Sequence, residues 1–297
     1  MYAGTTMLCL ARPAFASSSR AATRSLHRGA GPAATARNAD PAACFVVQGA
    51  SRGLGLEMAR QLLHGRFAGT VVATCRRPES ATALRELAES SGGRLHCVAY
   101  DPELGDEAGA QTAADAVREL SGGRVDALVN AAGMLHDEAA GHMPEKALRE
   151  VSAEWLRRSF AVHTVGPLLL TQALEPLLRV RKKDERPPSV VVNISARVGS
   201  IEDNRAGGWF SYRISKAAQN QATRTAALEL ARHRCWLMAL HPGTVDTDLS
   251  APFQSRLPAG QLRPLGVAAG QLLDVIDAME ESDAGTFHAW DRERLPF

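Results

Sequence analysis

The sequence has no cysteines spaced as a pair. Cys9 stands near the start, and Cys44, Cys75, Cys97 and Cys235 lie far apart, each in or beside an apolar run. Without a C-x-x-C unit they read as buried thiols of a reducing compartment, not as disulfide partners or metal ligands. The nine histidines show no H-E-x-x-H or comparable ligand spacing, which predicts that no metal is held. Long hydrophobic runs are missing too: residues 164–178 are the most apolar stretch, but Glu175 and Pro176 interrupt it short of a membrane span, so a soluble mature protein is expected. Neither sign of charge dominates, with 34 basic against 32 acidic residues, which argues against a nucleic-acid or membrane-surface partner. There are no internal repeats, and the absence of a G-x-S-x-G elbow leaves a hydrolase reading without its nucleophile.

Residues 1–40 lack lysine and, before Asp40, any acidic residue. They carry five arginines (Arg12, Arg20, Arg24, Arg28 and Arg37) among many Ala, Ser and Thr. This is the composition of an organellar transit peptide, chloroplast or mitochondrial; the alternative is a disordered tail that is never processed. The division expected is a disordered leader over 1–40 and one domain over 41–297, a length that buries a single substantial core.

What is present is organised around residues 44–63, CFVVQGASRGLGLEMARQLL. Residues 44–48 read as a buried strand. Gly49, Gly53 and Gly55 then break the pattern, and apolar residues resume at helical spacing. Such a turn leaves free N–H groups at a helix N-terminus, where the dipole favours an anion and glycines let a pyrophosphate approach. The spacing is Gly-x3-Gly-x-Gly, so the usual dinucleotide fingerprint is not matched literally, and a glycine-rich connection with no ligand is the alternative. After this unit, strands at 70–75, 94–100, 125–130, 189–194, 235–241 and 285–290 alternate with helices near 80–90, 106–120, 153–180, 210–233 and 267–280. Short apolar runs between amphipathic helices predict a doubly wound α/β fold with a mostly parallel sheet, and ligands beyond its carboxyl edge.

Four further stretches carry chemistry. Arg76 and Arg77 follow the second strand, where an acidic residue would accept from a ribose 2′-hydroxyl; arginine suits a 2′-phosphate, and Arg52 in the glycine turn adds a cation. This favours NADP(H) over NAD(H), the alternative being solvated arginines. Asp101 ends the third strand, placed either for an adenine amino group or as an ordinary turn residue. Asn130-Ala131-Ala132-Gly133 ends the fourth with small residues that would admit a flat ring, although a tight turn gives the same sequence. Finally, Tyr212 and Lys216 stand at i and i+4 on one helical face, where an ammonium would lower a phenol pKa for acid/base work. Such a pair also arises by chance.

Together, GASRGLG, NAAG, VNIS, YRISK and HPGTVDTDL, in this order and spacing, resemble the short-chain dehydrogenase/reductase family. RVGSIEDNRAGGWFSYRISKAAQN and LHPGTVDTDLSAPFQ are similar to its C-factor-like subgroup. The resemblance implies a single Rossmann domain, NADP(H)-dependent hydride transfer with a small carbonyl or alcohol substrate, and pairing as dimer or tetramer through the helices near 153–180 and 210–233. It assigns Tyr212 as acid/base and Lys216 as holder of the nicotinamide ribose. Gly49, Ser51, Arg52, Gly53, Leu54, Gly55, Arg76, Asp101, Asn130, Ala131, Gly133, Pro242, Gly243 and Thr247 are assigned to the cofactor.

Two positions depart from the family pattern. Ala196 stands where the family has its oxyanion-facing serine, with Ser195 or Ser200 as substitutes, Ser195 the weaker because strand neighbours face opposite ways. His163 stands where it has an asparagine, either as a buried structural histidine or as a member of the proton relay. These departures motivate the alternative, a cofactor-binding sensor or interaction protein with weak or lost catalysis. The loops 134–150 and 249–264 are expected to line the substrate pocket.

Overall fold

The computed structural model describes residues 30–297; the leader reading of residues 1–29 lies outside the described residues. In chain order the elements are α1 (Pro32–Ala39), β1 (Cys44–Gln48), α2 (Gly53–Gln61), β2 (Thr70–Cys75), α3 (Thr82–Ser90), β3 (Leu95–Ala99), α4 (Glu107–Leu120), β4 (Ala127–Asn130), α5 (Ala153–Phe160), α6 (Gly166–Leu178), β5 (Ser189–Ile194), α7 (Phe210–Leu230), β6 (Cys235–His241), β7 (Thr244–Val245), β8 (Leu262–Arg263), α8 (Leu265–Asp277) and β9 (Phe287–Ala289). Seven strands form one sheet in the order β3-β2-β1-β4-β5-β6-β9, every pair parallel. The order reverses between β1 and β4, which opens a crevice beyond their carboxyl ends.

Both faces of the sheet are covered, which is why its strands lack an apolar/polar alternation. Phe45, Val47, Val71, Ala73, Ala127, Val129, Val190 and Val192 pack with Met58, Leu84 and Leu272 on one side. Cys44, Val46, Val72, Leu128, Val191 and Leu237 pack with Ala113, Leu170 and Ala227 on the other. The chain is thus a single α/β domain of Rossmann type, and no helix among the described residues is long and apolar enough to cross a membrane.

Two features differ from expectation. The long helix expected near 153–180 is interrupted by a π turn at Ala161–Val165. Pro167 has no N–H to offer the carbonyl of His163, so regular α-helical bonding fails there. The second difference concerns the leader: structure begins before residue 40, because α1 docks on the end of α8. Arg37 is buried and its Nη2 donates to Asp277 Oδ1 at 2.6 Å. Arg66 donates to the other carboxylate oxygen at 2.6 Å, and Asn38 adds a bond to Oδ1 at 3.0 Å. An arginine of transit-peptide composition is therefore part of the folded domain.

Breaking a buried, hydrogen-bonded ion pair from one side is costly. Since Arg66 still partners Asp277, Arg37→Ala is expected to lower unfolding stability by about 2 kcal/mol. Urea titration checks this, and an unchanged midpoint would show that α1 merely rests on the surface.

Candidate active site

The crevice is built from the glycine turn outward. Gly49 has φ +83°, and a Cβ there would lie 2.5 Å from the backbone nitrogen of Ala132; one on Gly55 would lie 2.4 Å from the oxygen of Gly49. These two glycines are required by chain packing: the first lets the loop after β4 close on the loop after β1, the second lets α2 close on β1. Gly53 is different, since the nearest atom to its would-be Cβ is Thr247 Cγ2 at 3.7 Å. No side chain caps α2 at Arg52, so the first-turn N–H groups of the helix lack the usual partner. Free N–H groups, an open glycine and Thr247 opposite fit the diphosphate of a dinucleotide. Ser51 is exposed, and the exposed Arg52 reaches Asp248 at 3.2 Å, bridging the glycine turn to the loop after β7.

The strand ends divide the remaining cofactor candidates. Arg76 is 56% exposed, with a loose acidic partner in Glu103 at 3.6 Å, so its guanidinium is available to a 2′-phosphate. One oxygen of Asp101 accepts the Glu103 N–H at 3.0 Å, an Asx turn that leaves only the other for a ligand. Asn130 is fully buried, and its Nδ2 donates to Asn193 Oδ1 at 2.7 Å. This bond ties β4 to β5 and leaves Asn130 Oδ1 without a partner among the described residues, while Ala131 and Gly133 remain at the surface of the crevice. Gln48 acts similarly, its Oε1 accepting the Ala132 N–H at 3.0 Å. Pro242, Gly243 (φ +76°) and Thr247 turn the chain out of β6 toward the glycine turn.

Tyr212 and Lys216 sit on the first turns of α7, with Lys216 Nζ 5.9 Å from the centre of the Tyr212 ring. Lys216 is buried, donating to the Ile194 carbonyl at 2.7 Å and to Gln219 Oε1 at 3.1 Å. Here the structure departs from the expected electrostatics. Burial pushes the Tyr212 phenol up from its ordinary value, and the same desolvation pulls Lys216 down to about 7. Desolvation, and not the neighbouring ammonium, dominates the shift of the tyrosine.

His163 stands beside this pair, edge to face with Tyr212 at 5.3 Å between ring centres. Its Nε2 accepts the Met134 N–H at 3.0 Å, and its Nδ1 lies 2.8 Å from Ser215 Oγ, which itself donates to the Tyr212 carbonyl at 3.0 Å. That arrangement assigns the neutral ring with its proton on Nδ1, and burial together with the Lys216 charge pushes its pKa well below the usual value. Both nitrogens are partnered within the fold, which is the structural reading of His163 and not the relay. Ser195 is likewise removed from the catalytic candidates: its hydroxyl donates to Asn220 Oδ1 at 2.6 Å. Ser200 Oγ accepts the Asp203 N–H at 3.1 Å. Of the two serines considered as substitutes for Ala196, only Ser200 keeps a hydroxyl proton not donated within the fold.

Sequence reasoning missed Glu145 and Trp209. Glu145 is buried at the start of α7, both carboxylate oxygens 3.2 Å from the Ser211 N–H and one also accepting the Ser211 hydroxyl. Trp209 precedes the helix with φ 53° and ψ 43°. A left-handed backbone at a bulky side chain costs about 1–2 kcal/mol. The only sequence signal was the Gly207-Gly208 pair before it.

The buried lysine makes stability depend on pH. Between about 7 and the ordinary lysine value of 10.5 the unfolded chain binds a proton here that the folded chain does not, so stability contributed at this site rises with pH; below 7 the penalty is fully present. Relative to wild type, Lys216→Met should melt highest near about pH 6 and lose that advantage toward about pH 9. A melting difference that stays flat with pH would show that Lys216 is not desolvated.

A sequence profile of the short chain dehydrogenase family matches residues 43–257. Among curated proteins, the C-signal of Myxococcus xanthus is 33% identical over 59% of this chain and 94% of its own length. The 1-hydroxy-2-glutathionyl-2-methyl-3-butene dehydrogenase of a Rhodococcus strain is 30% identical over 83% of this chain and 96% of its own. Among solved structures, the NADPH-bound carbonyl reductase from chicken fatty liver superposes with a TM-score of 0.74 at 30% identity, covering 86% of this chain and 98% of that one. The carbonyl reductase Sniffer of D. melanogaster gives 0.75 at 25% identity, covering 87% and 100%. With the family profile spanning most of the domain and the glycine turn, parallel sheet and Tyr212/Lys216 helix placed as described, the chain belongs to the short-chain dehydrogenase family.

Proposed function

We propose that this protein is an NADP(H)-dependent carbonyl reductase in which Tyr212 is the proton donor. The observation that carries the reading is the pairing of a half-buried Tyr212 with Lys216 on the first turns of α7, at the carboxyl edge of the sheet. The bound nicotinamide would supply the hydride. Tyr212 would deliver its proton to the carbonyl oxygen or, in reverse, take one from an alcohol. Lys216, already holding a half-neutral ammonium near pH 7, would regain its full charge beside the developing phenolate and the ribose hydroxyls. Gly53, Leu54 and Gly55 at the start of α2 would hold the diphosphate, Arg76 the 2′-phosphate, and Ala131, Gly133, Pro242, Gly243 and Thr247 the nicotinamide half. The NADPH-bound relative from chicken fatty liver supports this choice of cofactor.

The sensor reading is supported by Ala196, while the partners of both His163 nitrogens favour a structural part for that residue. Pairing into dimers through α6 and α7 is supported by Leu168 and Leu228, which are 44% and 67% exposed.

Tyr212→Phe should lower turnover of NADPH with a carbonyl by about 100-fold or more while NADPH binding, read by calorimetry, is retained. Binding without turnover in the wild type would leave the sensor reading standing. Arg76→Asp should reverse the preference for NADPH over NADH, and equal affinities in wild type would remove the 2′-phosphate assignment. Ala196→Ser restores one donor near the oxyanion and should raise kcat by about tenfold or more; an unchanged kcat would mean another step or another donor limits the rate.

A further inference from the structure

Gly207, Gly208 and Trp209 form a run of left-handed residues, with φ of 64°, 64° and 53°. Glycine occupies the first two without steric cost. The third carries the largest side chain there is, in a conformation L side chains rarely adopt. Such an outlier persists only where its surroundings hold it. The hold is Glu145 in the loop after β4: its carbonyl accepts the Trp209 N–H at 2.5 Å, while its carboxylate binds Ser211 one turn into the helix.

With this backbone the indole lies against the Tyr212 and Phe253 rings. Trp209 and Tyr212 ring centres are 6.3 Å apart at 74°, and Trp209 and Phe253 are 5.2 Å apart at 53°. Phe253 meets His136 edge to face at 6.1 Å. Rings from the loop after β4, the start of α7 and the segment after β7 thus form a chain of contacts that ends on the Tyr212 ring. Trp209, Phe253, His136 and Tyr212 all stay partly exposed, so their faces are not used up by packing. Aromatic faces open next to a proton donor suit a flat, uncharged ring, which gains from offset or edge contacts that a puckered ring of equal size does not make.

We propose that Trp209 is the specificity-determining residue of this site, an indole wall held by Glu145 that selects carbonyl compounds whose carbonyl is attached to a planar, uncharged ring. The proposal rests on the reading of Tyr212 as proton donor. A purely structural Trp209 predicts the opposite of a specificity role, because glycine at φ 53° relieves the strain and leaves the fold intact.

The test is calorimetric binding of acetophenone and of cyclohexyl methyl ketone to the full-length protein loaded with NADP+. The two ligands share a methyl ketone and differ in the planarity of the ring, and binding is read whether or not turnover occurs. Wild type should prefer acetophenone. Trp209→Gly should weaken acetophenone by about tenfold with little change for the cyclohexyl compound and no fall in melting temperature, and Trp209→Phe should recover part of the loss. Equal affinity for the two rings in wild type, or equal losses for both in Trp209→Gly, overturns the proposal. Ring discrimination in a protein that reduces neither ketone would refute the Tyr212 reading alone and uphold the indole wall.

Discussion

The approach of Ala132 to Gly49 is the contact on which the crevice depends. A side chain on Gly49 would sit 2.5 Å from the Ala132 nitrogen, so only glycine lets the loops after β1 and β4 meet where the strand order reverses. The Ala132 N–H is then taken by Gln48 Oε1, which fixes the distance. Asn130 continues the tie to Asn193, and Asn193 donates to Thr223 on α7 at 2.8 Å. A line of amides across three strand ends thereby connects the glycine turn to the helix that carries Tyr212. The line is not fully satisfied: Gln48 Nε2 and Asn130 Oδ1 are buried without a hydrogen-bond partner among the described residues.

Desolvation sets the chemistry of the next layer. Burial raises the Tyr212 pKa, lowers that of Lys216 and keeps His163 neutral, so these three side chains contribute little fixed charge. A site with low charge and low polarity strengthens whatever charge a bound ligand introduces. It also explains why an asparagine can be exchanged for histidine in the π turn. Pro167 leaves the His163 carbonyl without its helical donor whatever side chain stands there, while the ring finds two partners of its own.

The loop after β4 gains its order from α7. Glu145 caps a helix of another segment, replacing the local cap that Trp209 does not provide. The start of α7 and the loop after β4 are thus held as one unit, with a left-handed tryptophan between them.

The sequence by itself determined the elements and their order. Continuous apolar runs such as VVATC and SVVVNI belong to strands buried on both faces, and the three glycines after residue 48 mark a turn that no other residue type would need. It also determined that Tyr212 and Lys216 share a helical face, since i and i+4 are neighbours in any α-helix. Only the tertiary structure decided what depends on distant neighbours. Arg37 has leader composition yet is buried, because Asp277, 240 positions away, receives it. Asn130 lies inside a motif of ring-contacting residues but faces Asn193, and Ser195 turns to Asn220, because side chains alternate along a strand and the helix above decides which side is filled. The pKa directions of the Tyr212/Lys216 pair belong to the tertiary structure for the same reason: proximity is local, whereas desolvation is set by everything packed around the pair.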